Sequence, residues 1–286
     1  MTTDTAPPPA PREAVARLRR SAPSLLLLLV LAGVILVPTP EDDSVLRMAS
    51  PDRSRVGPFQ AAIAGLPADG LVLVAFDPDF GTYAEIRSTT RAALADLLGR
   101  GARLAIVSFT SEGRAIAAAE LDRLRRSGGT LELGDLGFVA GSEAGLVRAI
   151  SSVVPSAAIG LIPDEIRQRG GGLGAFDLVL VVSGIDISAR SWVEQVGARL
   201  PALSLVTIAP TFLEPELAPY LQSGQLTAML ATLREGVAYG EAIPSPVGAD
   251  RGAPPGPLPM LIGMLAALAV LAEAAVRRLF GRGRAP

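Results

Sequence analysis

The chain has no cysteine and no histidine, and all 26 of its basic residues are arginine, so lysine is missing as well. Each absence removes a class of chemistry. Without cysteine there is no disulfide and no thiolate nucleophile; thiol-free domains occur on both sides of a membrane, so this assigns no compartment. Without histidine the usual general base, the usual proton shuttle and the commonest metal ligand are gone. Without lysine there is no Schiff base, no P-loop lysine and no Ser-Lys dyad. A Ser-His-Asp triad and a Cys-His pair are excluded on the same ground. Arginine-only usage is the ordinary signature of GC-rich codon bias, and the exclusions hold whatever its origin. Aromatic residues make up only 4% of the chain and the net charge is −2. Base-stacking surfaces and a basic field are both lacking, so no nucleic-acid partner is expected.

Apolar sequence is abundant: 49% of residues are hydrophobic and the mean hydropathy is +0.41. Much of the excess lies in two segments. The first, Ala22 to Val37, carries no charge; Arg12, Arg17, Arg19 and Arg20 precede it, and Glu41, Asp42 and Asp43 follow. A bilayer core needs about 20 residues, with roughly 17 as the short limit. The segment is therefore a short span, and a cleaved signal peptide is its rival. Its exit, Val37-Pro-Thr-Pro40, offers no Ala-x-Ala cleavage site, which favours an uncleaved helix. The second segment, Pro257 to Val276, runs straight into Arg277 and Arg278, with Arg282 and Arg284 beyond. Glu273 interrupts it at the arginine-rich end, where it can pair with Arg277 one turn on. Arginine excess marks the cytoplasmic side. Both outer flanks carry it, so both termini are expected in the cytoplasm and the central domain outside, at the cell (inner) membrane. The expected organisation is a tail 1–21, a span 22–38, a linker 39–66, an α/β domain 67–243, a Pro/Gly linker 244–256, a span 257–278 and a tail 279–286.

Within the central domain, apolar runs of strand length alternate with helical stretches. Leu71–Phe76, Leu104–Phe109, a weaker Gly137–Ala140, Phe176–Val182 and Leu203–Ala209 read as strands. Helices are expected at Tyr83–Leu98, Gly113–Arg126, Ala144–Val153, Ala189–Leu200, Pro215–Gln222 and Gln225–Glu235. Continuous apolar strands separated by helices mean a parallel sheet covered on both faces. The fold class is then α/β, a three-layer, doubly wound, mostly parallel sheet of about four or five strands.

In such folds the ligand crevice lies beyond the carboxyl ends of the strands. That places Asp77, Asp79, Gly81 and Thr82 after the first strand, and Ser108, Thr110, Ser111, Glu112 and Gly113 after the second. Gly141, Ser142 and Glu143 follow the third, Ser183, Gly184 and Asp186 the fourth, and Thr211 and Glu214 the last. Asp77 and Asp79 form the sharpest pair. Two carboxylates two residues apart at a strand end could hold Mg²⁺, or supply a nucleophile and an acid. In this they resemble haloacid-dehalogenase-like phosphatases, whose phosphate-binding Ser/Thr would correspond to Ser108 or Thr110. The likeness is partial: Phe80-Gly81 intervenes before Thr82, the family's lysine is missing, and Asp186 alone stands for its late acidic pair. The plainer reading of Asp77 is a turn residue that caps the next helix or accepts backbone N–H bonds. Gly170-Gly-Gly-Leu-Gly174 precedes a strand, where a dinucleotide fingerprint would follow one, and reads as a flexible loop. Ser142 and Glu143 read as an N-cap and a dipole partner. Trp192 reads as a core residue.

Four stretches carry a wider resemblance: Leu73-Val-Ala-Phe-Asp77; Arg103-Leu-Ala-Ile-Val-Ser108 with Ser111-x-Gly-x-Ala115; Leu136-Gly-Phe-Val-Ala-Gly-Ser-Glu-Ala-Gly145; and Trp192-Val-Glu-Gln195. Through most of residues 67–240 the chain resembles an uncharacterised group of bacterial two-span membrane proteins with a Rossmann-like domain between the spans. The resemblance implies that fold and tethering, and no activity. The expectation is a non-enzymatic, membrane-tethered module that binds a protein partner or small ligand at the cell envelope. Its candidate ligand residues are Ser108, Thr110, Ser111, Ser142, Ser183 and Asp186. Its partners would be the lipid bilayer and membrane or envelope proteins, and no cofactor is expected. The alternatives are an Mg²⁺-dependent hydrolase or transferase acting through Asp77 and Asp79, and an envelope ligand sensor.

Overall fold

A computed structural model of the protein describes residues 52–126, 132–156 and 158–243. Six strands form one parallel sheet: β1 (Leu71–Phe76), β2 (Arg103–Ser108), β3 (Leu133–Phe138), β4 (Leu178–Val182), β5 (Ser204–Ile208) and β6 (Ala228–Leu230). Their spatial order is β3-β2-β1-β4-β5-β6. This order, which reverses direction between β1 and β4, is that of Rossmann-like folds. The central strands are apolar at every position because both of their faces are covered: all of β1 and β4 is buried.

Alternation along each strand divides the core in two. Val72, Val74 and Phe76 face one layer, made by α1 (Val56–Ala64), α2 (Phe80–Gly99), α3 (Ser111–Arg126) and α8 (Leu233–Ala242). Leu71, Leu73 and Ala75 face the other, made by α4 (Ser142–Ala149), α5 (Leu161–Gln168), α6 (Ala189–Trp192, continued by a π-turn over Val193–Gly197) and α7 (Glu214–Gln222). Each aliphatic side chain fully buried this way contributes roughly 1.5–3 kcal/mol.

Several elements differ from the sequence expectation. Residues 56–64 lie in the expected linker yet form α1, because Val56, Phe59 and Ile63 recur on one face and are buried against the sheet. Phe59 meets the ring of Tyr239 edge-on at 5.2 Å, and the Tyr239 hydroxyl donates to Asp96 at 2.7 Å. The third strand begins four residues earlier than Gly137, at Leu133, with the edge pattern of alternate burial. The expected helix over 225–235 splits into β6 and the start of α8. There Thr232 and Glu235 form a capping box. In the glycine run before β4 one position is packed: a Cβ on Gly172 would lie 2.2 Å from the carbonyl oxygen of Ile150, whereas one on Gly170, Gly171 or Gly174 would meet nothing within 4 Å. Both expected spans, 22–38 and 257–278, lie outside the described residues. Among the described residues no helix is long and apolar enough to cross a membrane.

Candidate functional site at the carboxyl ends of the strands

The reversal of strand order puts the topological switch point between β1 and β4. There the Asp77-Pro78-Asp79 loop meets the Ser183-Gly184-Ile185-Asp186 loop. The two are in backbone contact: a Cβ on Gly184 would sit 2.1 Å from the carbonyl oxygen of Asp77 and 2.9 Å from Cα of Pro78. Gly113, in the first turn of α3, approaches from the other side, and its Cβ would lie 2.2 Å from the carbonyl oxygen of Phe76. Only glycine permits either approach. The loops that leave β1 and β4 are thus packed main chain against main chain at the switch point.

Asp77 is only 2% exposed. Its Oδ1 accepts the backbone N–H groups of Phe109 at 2.6 Å and Thr110 at 3.1 Å, tying the end of β1 to the end of β2. Its Oδ2 is buried and finds no hydrogen-bond partner among the described residues. Burial raises the carboxyl's pKa to about 7, against the lowering effect of the Phe109 and Thr110 hydrogen bonds. A neutral acid with its proton on Oδ2 fits that geometry.

Asp79 plays a different part. It is the N-cap of α2: Oδ1 accepts from the Thr82 N–H at 2.9 Å and Oδ2 from the Thr82 hydroxyl at 2.8 Å. Slight burial raises its pKa, and the Thr82 hydrogen bonds outweigh this and hold it below the usual carboxylate range. Of the two turn roles expected of Asp77, it takes the backbone N–H bonds, and the capping is done by Asp79. In dinucleotide sites of this topology the first helix offers its N-terminus to a pyrophosphate. Here the protein's own carboxylate occupies that position.

The hydroxyl candidates are spread over the strand ends. Ser108 is fully buried on the α2–α3 side, and its Oγ has no partner among the described residues. Thr110 Oγ1 accepts the Gly113 N–H at 3.1 Å and so caps α3, while Ser111 is exposed at that helix's start. Ser183, also fully buried, accepts the Ala189 N–H at 3.0 Å and holds the start of α6. Asp186 is exposed beside Ile185. Ser142 does not cap: Gly141 is the N-cap of α4, and Ser142 itself has a φ of 50°. Glu143 accepts from the Ser191 hydroxyl at 3.0 Å, joining α4 to α6. Trp192 is fully buried, as expected, edge-on to Phe109 at 5.8 Å. Among the described residues no three acidic side chains gather as metal ligands would.

What the sequence reading missed is apolar. Phe80 (63% exposed) follows β1, Phe138 (47%) ends β3, Ile185 (63%) follows β4, Phe212 (55%) follows β5 and Leu233 (44%) follows β6. Of the eight large apolar side chains exposed among the described residues, five thus project from one edge of the sheet; Val147, Ile159 and Leu161 lie along α4 and the turn into α5. Neighbouring strands are about 4.8 Å apart, so this edge is roughly 24 Å long. The signal was available: Phe80, Ile185, Phe212 and Leu233 each stand within a few residues after an apolar strand, where a polar residue is the norm, and Phe138 is the last residue of β3.

No protein-family profile matches the chain. No curated protein matches it either. Among solved structures, the chain is similar to a short-chain dehydrogenase/reductase of the glucose/ribitol dehydrogenase type from Brucella melitensis. That similarity has 15% identity and a TM-score of 0.24, over 60% of this chain and 65% of that one. The fold assignment rests on strand order and layer composition instead.

Proposed function

We propose that the chain is a membrane-tethered, non-enzymatic α/β module that docks a protein partner at the cell envelope through the carboxyl-end edge of its sheet. The exposed row Phe80, Phe138, Ile185, Phe212 and Leu233 carries this reading. Large apolar side chains scattered singly over a surface need no explanation, but a row along one functional edge marks an interaction site. The close main-chain packing of the two switch-point loops leaves them little freedom to part around a small ligand, which favours a protein partner. The hydrolase alternative needs Asp77 and Asp79 to converge on one metal. Instead, Asp77 binds the backbone entering α3 and Asp79 binds the first turn of α2. Tethering at both ends would hold this edge within reach of other membrane proteins.

Site-specific photo-cross-linking in native membranes tests the proposal. A photoreactive residue at Phe80, Ile185 or Phe212 is expected to give discrete protein adducts. One at the exposed Asp122 or Arg199, away from the edge, is expected to give none. Adducts of equal yield from both sets, or none from the edge, would refute a dedicated docking edge.

A further inference from the structure

Two members of the exposed row stand on loops that pack around one buried carboxyl. Phe80 lies three residues beyond Asp77, and Ile185 follows Gly184 directly. Gly184 meets the main chain of Asp77 and Pro78, and Gly113 meets that of Phe76, so backbone closes on the end of β1 from two sides. Asp77 holds the Phe109 and Thr110 N–H groups on Oδ1, while Oδ2 is buried without a partner among the described residues. A buried oxygen so placed is tolerable as O–H and costly as O⁻, because a buried charge needs a counter-charge or water.

The elements packed around Asp77 supply no counter-charge. Asp79 is bound to Thr82, Glu112 to the Phe80 N–H, and Asp186 is exposed; all three are acidic. Further along α2, Glu85 is bound to Thr211, Arg87 is exposed and Arg91 is bound to Glu120. Arg114 on α3 and Arg190 on α6 are bound to Asp135 and Glu194. Burial and hydrogen bonds, with no neighbouring charge, therefore set the proton affinity of Asp77 and place its titration at about 7. The chain has neither histidine nor cysteine, the side chains that most often respond near neutral pH, so a buried carboxyl is left to do so. Resting on the docking reading for its consequence, we infer that Asp77 is a proton latch for the edge: its neutral carboxyl lets the two loops pack and sets Phe80 and Ile185 in the row. When Oδ2–H gives its proton to bulk water, the carboxylate draws water in, the loops part and the row loses these two members. The packed form is held below the folded-state titration and given up above it.

The chain carries its own reporter. Trp192, the single tryptophan, is fully buried edge-on to Phe109, and lies within a turn of Ala189, whose N–H Ser183 holds. It thus touches both sides of the latch. The full chain in detergent micelles is titrated from about pH 5.5 to about pH 8.5, reading acrylamide quenching of Trp192 and far-ultraviolet circular dichroism. Quenching is expected to rise about threefold around pH 7 while the dichroism stays constant, the mark of a local opening. Asp77→Asn, which cannot ionise, is expected to keep the low level throughout. In native membranes, adducts from a photoreactive residue at Ile185 are expected to fall about threefold between about pH 6 and about pH 8, and to hold steady in Asp77→Asn. Wild-type quenching that does not change with pH would overturn the latch, whether or not the variant folds, and so would a rise that Asp77→Asn repeats. Cross-links of the same yield at both pH values would also overturn it and leave the docking edge standing. Absence of cross-links at either pH, with quenching still rising, would remove the docking reading and leave Asp77 as the latch of its loops.

Discussion

At the scale of single residues, Asp77 is the group whose environment departs furthest from its sequence-level appearance. Its carboxyl is held near a pKa of 7 in the folded protein, against about 3.9 for an ordinary aspartate. The folded state therefore binds a proton that the unfolded state has released, so stability falls as pH rises from about 4 to about 7 and levels off above that. The full difference is of the order of 4 kcal/mol. Asp77→Asn keeps an oxygen for the Phe109 and Thr110 N–H groups and cannot ionise. It is expected to flatten this dependence, melting close to the parent at about pH 5 and above it at about pH 8. Thermal melting at the two pH values reads the difference directly. A parallel downward shift at both would mean that Asp77 is ionised in the fold. Asp79, two residues away, was indistinguishable from Asp77 in the sequence. Their roles separate only because strand alternation turns Asp77 inward and the helix start turns Asp79 to Thr82.

At the scale of elements, the loops at the switch point are held by close main-chain contact. Gly184→Ala places a methyl 2.1 Å from the Asp77 carbonyl oxygen, with backbone on every near side and no flexible side chain to give way. The substitution is expected to cost about 3 kcal/mol or more, measured by denaturant unfolding. Gly240→Ala, which meets nothing within 4 Å, serves as the control. Elements legible in the sequence share one property: they are buried on both faces or amphipathic over several turns. β1 was read to the residue, and β2, β4 and β5 to within two. The illegible ones are short, half-exposed or next to a stronger signal. β6 is three residues long, and its apolar run merges with α8. The capping box Thr232-x-x-Glu235 marks the true helix start. α1 was hidden by Pro58 and Gly57, residues that ordinarily mark a turn but are tolerated in a helix's first turn.

At the scale of the whole molecule, the proposed tethering has its own test. Protease added to intact cells is expected to digest residues of the central domain while tags on both termini stay protected. A protected domain with digested tags would place the docking edge in the cytoplasm, and the partner with it. The sequence by itself determined the chemistry that is impossible here, the α/β class and, to within a residue, the carboxyl ends of β1, β2, β4 and β5. It could do so because composition and apolar periodicity are local properties of the chain. Tertiary structure alone decided that the switch-point loops meet main chain to main chain, that Asp77 is buried while Asp79 caps a helix, and that five apolar residues 153 positions apart from first to last share one edge. Those outcomes depend on strand order and on main-chain distances between segments remote in sequence, which no local pattern encodes.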